Sequence, residues 1–242
     1  MTSSVHRVLV AIPAYNEQAT IGAVVRRVQE ALPEFDLLVV NDGSQDQTEA
    51  IVRSLGVDTA THLCNLGYGR AVQTAIKHAL RNGYDTLITL DADGQHRPEQ
   101  IRRMFEAFVN DGWDYLVGSR YVQAHDYRGA PLGRRVGMQL FSWLTKLFVG
   151  QRIYDTTSGL KIMRRTVFEP LTEWHFVDFH AEAIVYLWRL GFRIGEYPIT
   201  VDERQHGQSM YSLVSHVAYP LKTSTMILLG TIQADLTRRK QR

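Results

Sequence analysis

Thr86-Leu-Ile-Thr-Leu-Asp91-Ala-Asp93-Gly-Gln95-His96 is the stretch on which the reading of this chain turns. An apolar run of strand length delivers two carboxylates, spaced i and i+2, to its carboxyl end. In extended backbone such a pair points to one face, so both side chains can approach a single cation. Carboxylate oxygens suit Mg²⁺ or Mn²⁺, and Mg²⁺ is commonly held by one or two carboxylates plus substrate phosphates. Gln95 would add a carbonyl oxygen to the set. The competing reading is a plain polar turn, since Asp-Gly is a common turn pair.

Moving outward, short apolar runs alternate with amphipathic stretches from Arg7 to Gly118. Arg7–Ile12, Leu37–Asn41, Thr86–Leu90 and Tyr115–Val117 read as buried strands. Glu17–Ala31, Gln47–Leu55, Arg70–Arg81 and Pro98–Asn110 carry apolar residues at helical spacing. Such alternation predicts an α/β fold, a mostly parallel sheet with helices on both faces. Ligands of such sheets bind outside the carboxyl ends of the strands. The first strand ends in Pro13-Ala-Tyr15-Asn16-Glu17 and the second in Asn41-Asp42-Gly43-Ser44-Gln45-Asp46. Asp42 can accept hydrogen bonds from a base or ribose, and Tyr15 can pack on the base. Alternatively Asn16, Ser44 and Asp46 simply cap the helices that follow. Asn65-Leu-Gly67-Tyr-Gly69 adds a flexible loop before a helix N-terminus, a setting suited to an anion. Neither GxGxxG nor GxxxxGK[ST] occurs, so a Rossmann dinucleotide site and a P-loop are not supported.

Composition narrows the class. The chain has 242 residues, 45% of them hydrophobic, with a formal net charge of +2. That is enough for one sizeable core, and too balanced for a protein whose main partner is nucleic acid. A lone cysteine, Cys64, excludes an internal disulfide and reads as a small packing residue. No HxxxH or HExxH pair occurs among nine histidines, which argues against catalytic zinc. His96 lies beside the carboxylate pair and His180 beside Glu182, where either can act by hydrogen bonding. No secretory signal is evident, and no apolar run reaches the roughly 18 residues of a spanning helix. After Ser119 the alternation loosens into an apolar stretch, Val136–Val149, a helix expected at Ala181–Leu190, and a C-terminal helical region ending in Arg238, Arg239, Lys240 and Arg242.

The ordered set PAYNE (13–17), VVNDGS (39–44), NLGYGRA (65–71), DADGQH (91–96) and GSR (118–120) resembles the inverting glycosyltransferases of family 2, with the GT-A, or nucleotide-diphospho-sugar transferase, fold. DTTSGLK (155–161), Phe179-His-Ala-Glu182 and Arg204-Gln-His-Gly207-Gln-Ser209 resemble the branch typified by dolichyl-phosphate mannose synthase. The resemblance implies a nucleotide-diphosphate sugar donor, a polyprenyl phosphate acceptor and a Mg²⁺ or Mn²⁺ cofactor. It also implies residue roles. Pro13, Tyr15, Glu17 and Asp42 would hold the donor nucleoside; Asp91, Asp93 and Gln95 the cation. Arg120, Arg134 or Arg135, and Arg204 would face the phosphates. Asp155, Ser158 and Glu182 would shape the sugar and acceptor pocket, with Ser209 in the last motif. Asp93, Arg120, Arg204, Asp155 and Glu182 are the candidates for catalysis.

Two departures stand out: Met210 occupies a position where the branch often has lysine, and no added membrane segment follows. The division expected is a catalytic domain over 1–210 and an amphipathic, basic-tailed extension over 211–242, either part of the same domain or facing a membrane or partner. The apolar helices can cover an ordinary core, lie in the membrane interface at the cytoplasmic face, or dock on a small membrane protein or a second copy of the chain. The rivals are the same fold with a hydroxyl acceptor, and a non-catalytic nucleotide-sugar-binding subunit of a membrane complex.

Overall fold

A computed structural model describes residues 6–123, 132–173, 179–202 and 215–240. Its first half is β1 (Val8–Ala14), α1 (Ile21–Ala31), β2 (Asp36–Asn41), α2 (Thr48–Ser54), β3 (Asp58–Thr61), α3 (Tyr68–Arg81), β4 (Thr86–Thr89), α4 (Ile101–Asn110, entered through a 3₁₀ turn at Pro98–Gln100) and β5 (Tyr115–Ser119). The second half is α5 (Leu132–Val149), β6 (Lys161–Arg164), α6 (Phe168–Thr172), α7 (Ala181–Arg189), β7 (Ile194–Pro198) and α8 (Ser215–Lys240). The strands form one sheet in the order β3-β2-β1-β4-β6-β5-β7. β6 runs antiparallel to both its neighbours, and the other pairings are parallel.

The expected alternation is present, and its limits have physical causes. β1, β2, β4 and β5 are covered on both faces and therefore read as apolar runs. β3, Asp-Thr-Ala-Thr, is a partly exposed edge strand with no apolar run to announce it. β6 opens on a buried lysine, and β7 contains Gly195 and Pro198, both depleted in strands. Helix α1 starts at Ile21, four residues later than its periodicity suggests; the chain before it turns at Asn16, φ 55°, and the Glu17 N–H is tied to the Thr48 hydroxyl at 2.8 Å.

Alternate residues of each strand feed two cores. Leu9, Ala11, Leu38, Val40, Leu87 and Val117 face α3 and α7, whereas Val10, Ile12, Val39, Ile88 and Leu116 face α1 and α4. Ile227 and Ala234 of α8 belong to the first of these cores.

The sheet also makes its own crevice. β1 pairs with β4 only over Val8–Ala11 but with β2 as far as Ala14. Beyond Ala11 the two central strands part, and Pro13, with no N–H to donate, sits where that ladder has ended. β2 and β4 flank β1 on opposite sides, so the parting lies at the topological switch point, where ligands of open α/β sheets bind. Because β6 is reversed, its amino end, and the loop 155–160 before it, arrive at this same edge.

Candidate active site

Asp91 leaves β4 at the crevice, with its carboxylate against the backbone of Gly159. A Cβ on Gly159 would lie 2.0 Å from both carboxylate oxygens, so this position requires glycine for space alone. The Thr89 hydroxyl donates to the Gly159 carbonyl at 2.8 Å and pins the loop to β4. Although 33% of the Asp91 side chain meets solvent, burial still works to raise its pKa. The hydrogen bond from His96 and the charges of His96, Lys161 and Arg120 outweigh burial and hold it below the ordinary carboxylate value.

Asp93 lies in a turn rather than in extended backbone, so the same-face argument from the i, i+2 spacing does not describe the pair. Gly94 takes φ +77°, and Asp93 Oδ1 accepts the Gln95 N–H at 3.0 Å. The Gln95 side-chain amide donates to the Asp202 carbonyl at 3.2 Å. His96 bridges to Val201, so the turn is sewn to the segment after β7. The buried phenol of Tyr68, at the start of α3, has its pKa raised well above the usual range by burial and then by the charge of Asp91, with a lesser contribution from Asp93.

Arg120 and Asp155 meet as a bidentate pair. Nε donates to Asp155 Oδ2 at 2.7 Å and Nη2 to Oδ1 at 2.8 Å, and the Arg120 backbone N–H adds a 3.1 Å bond to Oδ2. Asp155 is wholly buried. Burial opposes the arginine's charge, but the Asp155 hydrogen bonds and charge prevail, so its pKa rises. Glu196 of β7 accepts the N–H groups of Tyr154 and Asp155, each at 2.8 Å. Ser158 Oγ accepts the Leu160 N–H at 3.3 Å, and Glu182, in the first turn of α7, accepts the His180 N–H at 2.9 Å. His180 in turn stacks on Tyr68, with ring centroids 6.2 Å apart.

The ends of β1 and β2 form a second cluster. Asn16 adopts φ 55°; its N–H donates to Ser44 Oγ at 3.0 Å and its Oδ1 accepts the Gln45 N–H at 2.8 Å. Glu17 takes a hydrogen bond from the Thr20 hydroxyl at 2.9 Å, and Tyr15 stands exposed at the rim. Asp42 is committed within the protein: Oδ1 meets His62 Nδ1 at 2.7 Å and the Leu66 N–H at 2.9 Å, and Oδ2 accepts the Gly67 N–H at 2.8 Å. It thereby fixes the loop that places Tyr68. Cys64 is exposed in that loop rather than packed inside. Gly43 explains why the loop can lie so close, since a Cβ there would approach the Cys64 backbone to 2.4 Å. Arg135 of α5 is half-buried. Arg204, Ser209, Met210 and the side chain of Arg134 lie outside the described residues.

Residues 9–172 match Glycosyl transferase family 2. The chain belongs to that family. Polyprenol monophosphomannose synthase of Mycolicibacterium smegmatis is 36% identical over 217 residues, 85% of this chain and 81% of that one. Undecaprenyl-phosphate mannosyltransferase of Micrococcus luteus is 33% identical over 215 residues, 85% and 88% of the two chains. Among solved structures, glucosyl-3-phosphoglycerate synthase of Mycobacterium tuberculosis, in complex with Mn²⁺, UDP and glucosyl-3-phosphoglycerate, aligns over 93% of this chain and 80% of its own with a TM-score of 0.70. At 17% identity that likeness concerns the fold, which is GT-A-like.

In this family 2 glycosyltransferase, three crevice residues were given no role in the reading of the sequence: His62, and Tyr68 and Lys161, which fall inside the quoted motifs 65–71 and 155–161. Lys161 opens β6 and is buried, with its amine donating to the Ser158 carbonyl. Burial lowers its pKa to about 8 against the opposing charges of Asp91, Asp155 and Glu182. Its place at the end of DTTSGLK (155–161) was the signal that pointed to it.

A pH prediction follows from that burial. Lys161 titrates at about 8 in the fold and at an ordinary 10.5 when unfolded. Between those values the unfolded chain binds more protons, so the stability attributable to Lys161 rises with pH. Wild type should therefore gain melting temperature relative to Lys161→Met from about pH 8 to 10.5. Parallel pH profiles of the two proteins would show that the amine is not buried in this way.

The chemistry of the crevice fits a divalent cation. Among the described residues no three His, Cys, Asp or Glu side chains converge as a metal cage. Two carboxylates at a crevice, one held ionised by its neighbours, form a partial donor set of the kind that substrate phosphates complete.

Proposed function

We propose that this glycosyltransferase moves a sugar from a nucleotide-diphosphate sugar to a polyprenyl phosphate at the cytoplasmic face of a membrane. The observation that carries this reading is the state of its candidate bases. A hydroxyl acceptor needs a group to take its proton. Asp155 has both oxygens occupied by Arg120, and Glu182 is tied to the His180 backbone. A phosphate acceptor needs no base, because its attacking oxygen is already ionised near neutral pH. The relatives of Mycolicibacterium and Micrococcus are named for transfer to polyprenyl carriers, which supports the same acceptor here.

In this reading the acceptor oxygen forms the new bond to the anomeric carbon as the bond to the nucleotide diphosphate breaks on the opposite face, so the configuration inverts. The residues hold both phosphates in line and exclude water. Arg120 uses Nε and Nη2 on Asp155, leaving Nη1 for a phosphate oxygen, and Arg135 or Arg134 and Arg204 would supply further donors. Tyr15, Pro13 and Glu17 would border the nucleoside, and Asp42 would act through the loop that it anchors. Ser158 and Ser209 would line the sugar and acceptor pocket. Mg²⁺ or Mn²⁺ bound by Asp91 and Asp93, with Gln95 nearby, would neutralise charge on the departing diphosphate.

The membrane component rests on exposed apolar residues. No helix among the described residues is long and apolar enough to cross a membrane. Leu140, Trp143 and Leu147 of α5, and Leu228, Ile232 and Leu236 of α8, nevertheless point outward, a pattern suited to lying in a lipid interface.

The test supplies purified protein with Mg²⁺ or Mn²⁺ and a polyprenyl phosphate in detergent. Separate reactions receive radiolabelled UDP- and GDP-sugars, and label extracted into organic solvent is counted. Chelator-sensitive, solvent-extractable label in one reaction is the expected result. Label appearing only in water-soluble product would replace the lipid acceptor with a hydroxyl one.

A further inference from the structure

The amino-terminal edge of the sheet carries a second cavity, far from the carboxylate crevice. It is an open concavity of about 580 Å³, within the size range of small-molecule sites. Its walls include Arg189, Arg193 and Arg238 together with Trp113, Trp188 and Phe192. Ile194, at its floor, pairs with Tyr115 at the start of β5, while Ser119 at the other end of that strand leads to Arg120. Four strand steps separate the two levels, about 13 Å.

The fold builds this cavity from fitted parts. The Trp113 indole sits directly on Gly195, where a Cβ would come within 2.9 Å of the ring. The Arg193 guanidinium lies over Trp113, 5.2 Å from the ring centroid, and its Nη1 donates to the Gly112 carbonyl at 3.4 Å. Gly191, at φ +96°, ends α7 and leaves room for Arg238, whose Nη2 would lie 3.7 Å from a Cβ there.

Among the described residues no carboxylate lines the cavity, and Asp111, outside the lining, accepts the Trp113 indole N–H at 3.3 Å. Helix C-termini favour cations, which accounts for charge at the ends of α7 and α8. It does not account for Arg193, which lies between α7 and β7 and brings a third guanidinium to the same wall.

We propose that this cavity is a second anion site, which takes the phosphate group of a phosphate-bearing ligand. Arginine forks match phosphate geometry, and the Trp113 ring beneath Arg193 orients one of them. The phosphate can belong to a phospholipid headgroup or to a small soluble phosphate. The outward stripe of Leu228, Ile232 and Leu236 on α8 ends two residues before Arg238, so a headgroup held here would place its chains beside apolar surface.

The indole N–H signals of Trp113 and Trp188 give a local readout, assigned through Trp113→Phe and Trp188→Phe. Wild type is titrated with inorganic phosphate and, separately, with phosphatidylcholine bicelles with and without phosphatidylglycerol. Both indole signals should move, and Arg189→Gln/Arg238→Gln should weaken the response about tenfold or more. Movement with inorganic phosphate identifies a soluble phosphate as sufficient, whereas movement only with phosphatidylglycerol identifies the headgroup. Arg238 is exposed, so Arg238→Gln alone tests the site without threatening the fold. Indole signals unmoved by either probe, or a response unchanged in Arg238→Gln and in the double variant, would overturn the proposal.

Discussion

Gly159→Ala is expected to reduce sugar transfer by about 10²–10³-fold, the range seen when one preorganised electrostatic partner is removed. The added methyl would need to occupy a point 2.0 Å from both Asp91 oxygens. Neither side yields easily. The Gly159 carbonyl is held by Thr89, and Asp91 is held by His96. The carboxylate must therefore swing out of the crevice or the loop must lift, and misplacement by about 1 Å can by itself cost about a hundredfold. Overpacking should also lower stability by about 1–3 kcal/mol. Asp91→Asn provides the comparison, because it keeps the volume while discharging the group. Transfer assays on both variants, with melting curves, separate displacement from loss of charge. An active Gly159→Ala protein would show that Asp91 need not stand where the fold puts it.

Asp155→Asn is expected to be among the most destabilising single changes in the crevice. Asp155 is wholly buried and the Arg120 side chain is 17% exposed, so solvent screens the pair little. Removing one charge leaves the other buried without compensation, at a cost of about 3–5 kcal/mol. For a chain of this length that is a fall of roughly 6–20 °C in melting temperature. Two backbone N–H groups on Glu196 tie the same loop to β7, so the loss should spread to the loop that seats Asp91. Arg120→Met/Asp155→Leu should be less destabilised than either single variant, because no unpaired charge remains. If the singles cost less than about 1 kcal/mol, the pair behaves as a surface ion pair and its assignment as the brace of this loop fails.

Much of this could be read from the chain because each site group follows an apolar run. Asp42, Asp91 and Arg120 come within two residues of the ends of strands whose burial on both faces makes them visible, and chain order alone puts such residues at one edge of a parallel sheet. The loop 155–160 was visible only as a motif. It reaches that edge because β6 runs backwards between β4 and β5, and four residues beginning with lysine carry no mark of direction. The helical state of α5, α7 and α8 was expected from the sequence, but which apolar residues turn outward depends on what packs beneath them.

The amino-acid sequence by itself determined the α/β class, the strands that end at the crevice and the residue types gathered there, because those follow from local hydrophobic pattern and chain order. Tertiary structure decided the partners. Arg120 and Asp155 lie 35 positions apart and Thr89 and Gly159 lie 70 apart, and no local preference links such residues. Burial then set their chemistry: away from water a charge is kept only where a fitted partner compensates it, so the fold chose which carboxylate is braced, which is held ionised at the crevice, and which lysine has its pKa pushed down.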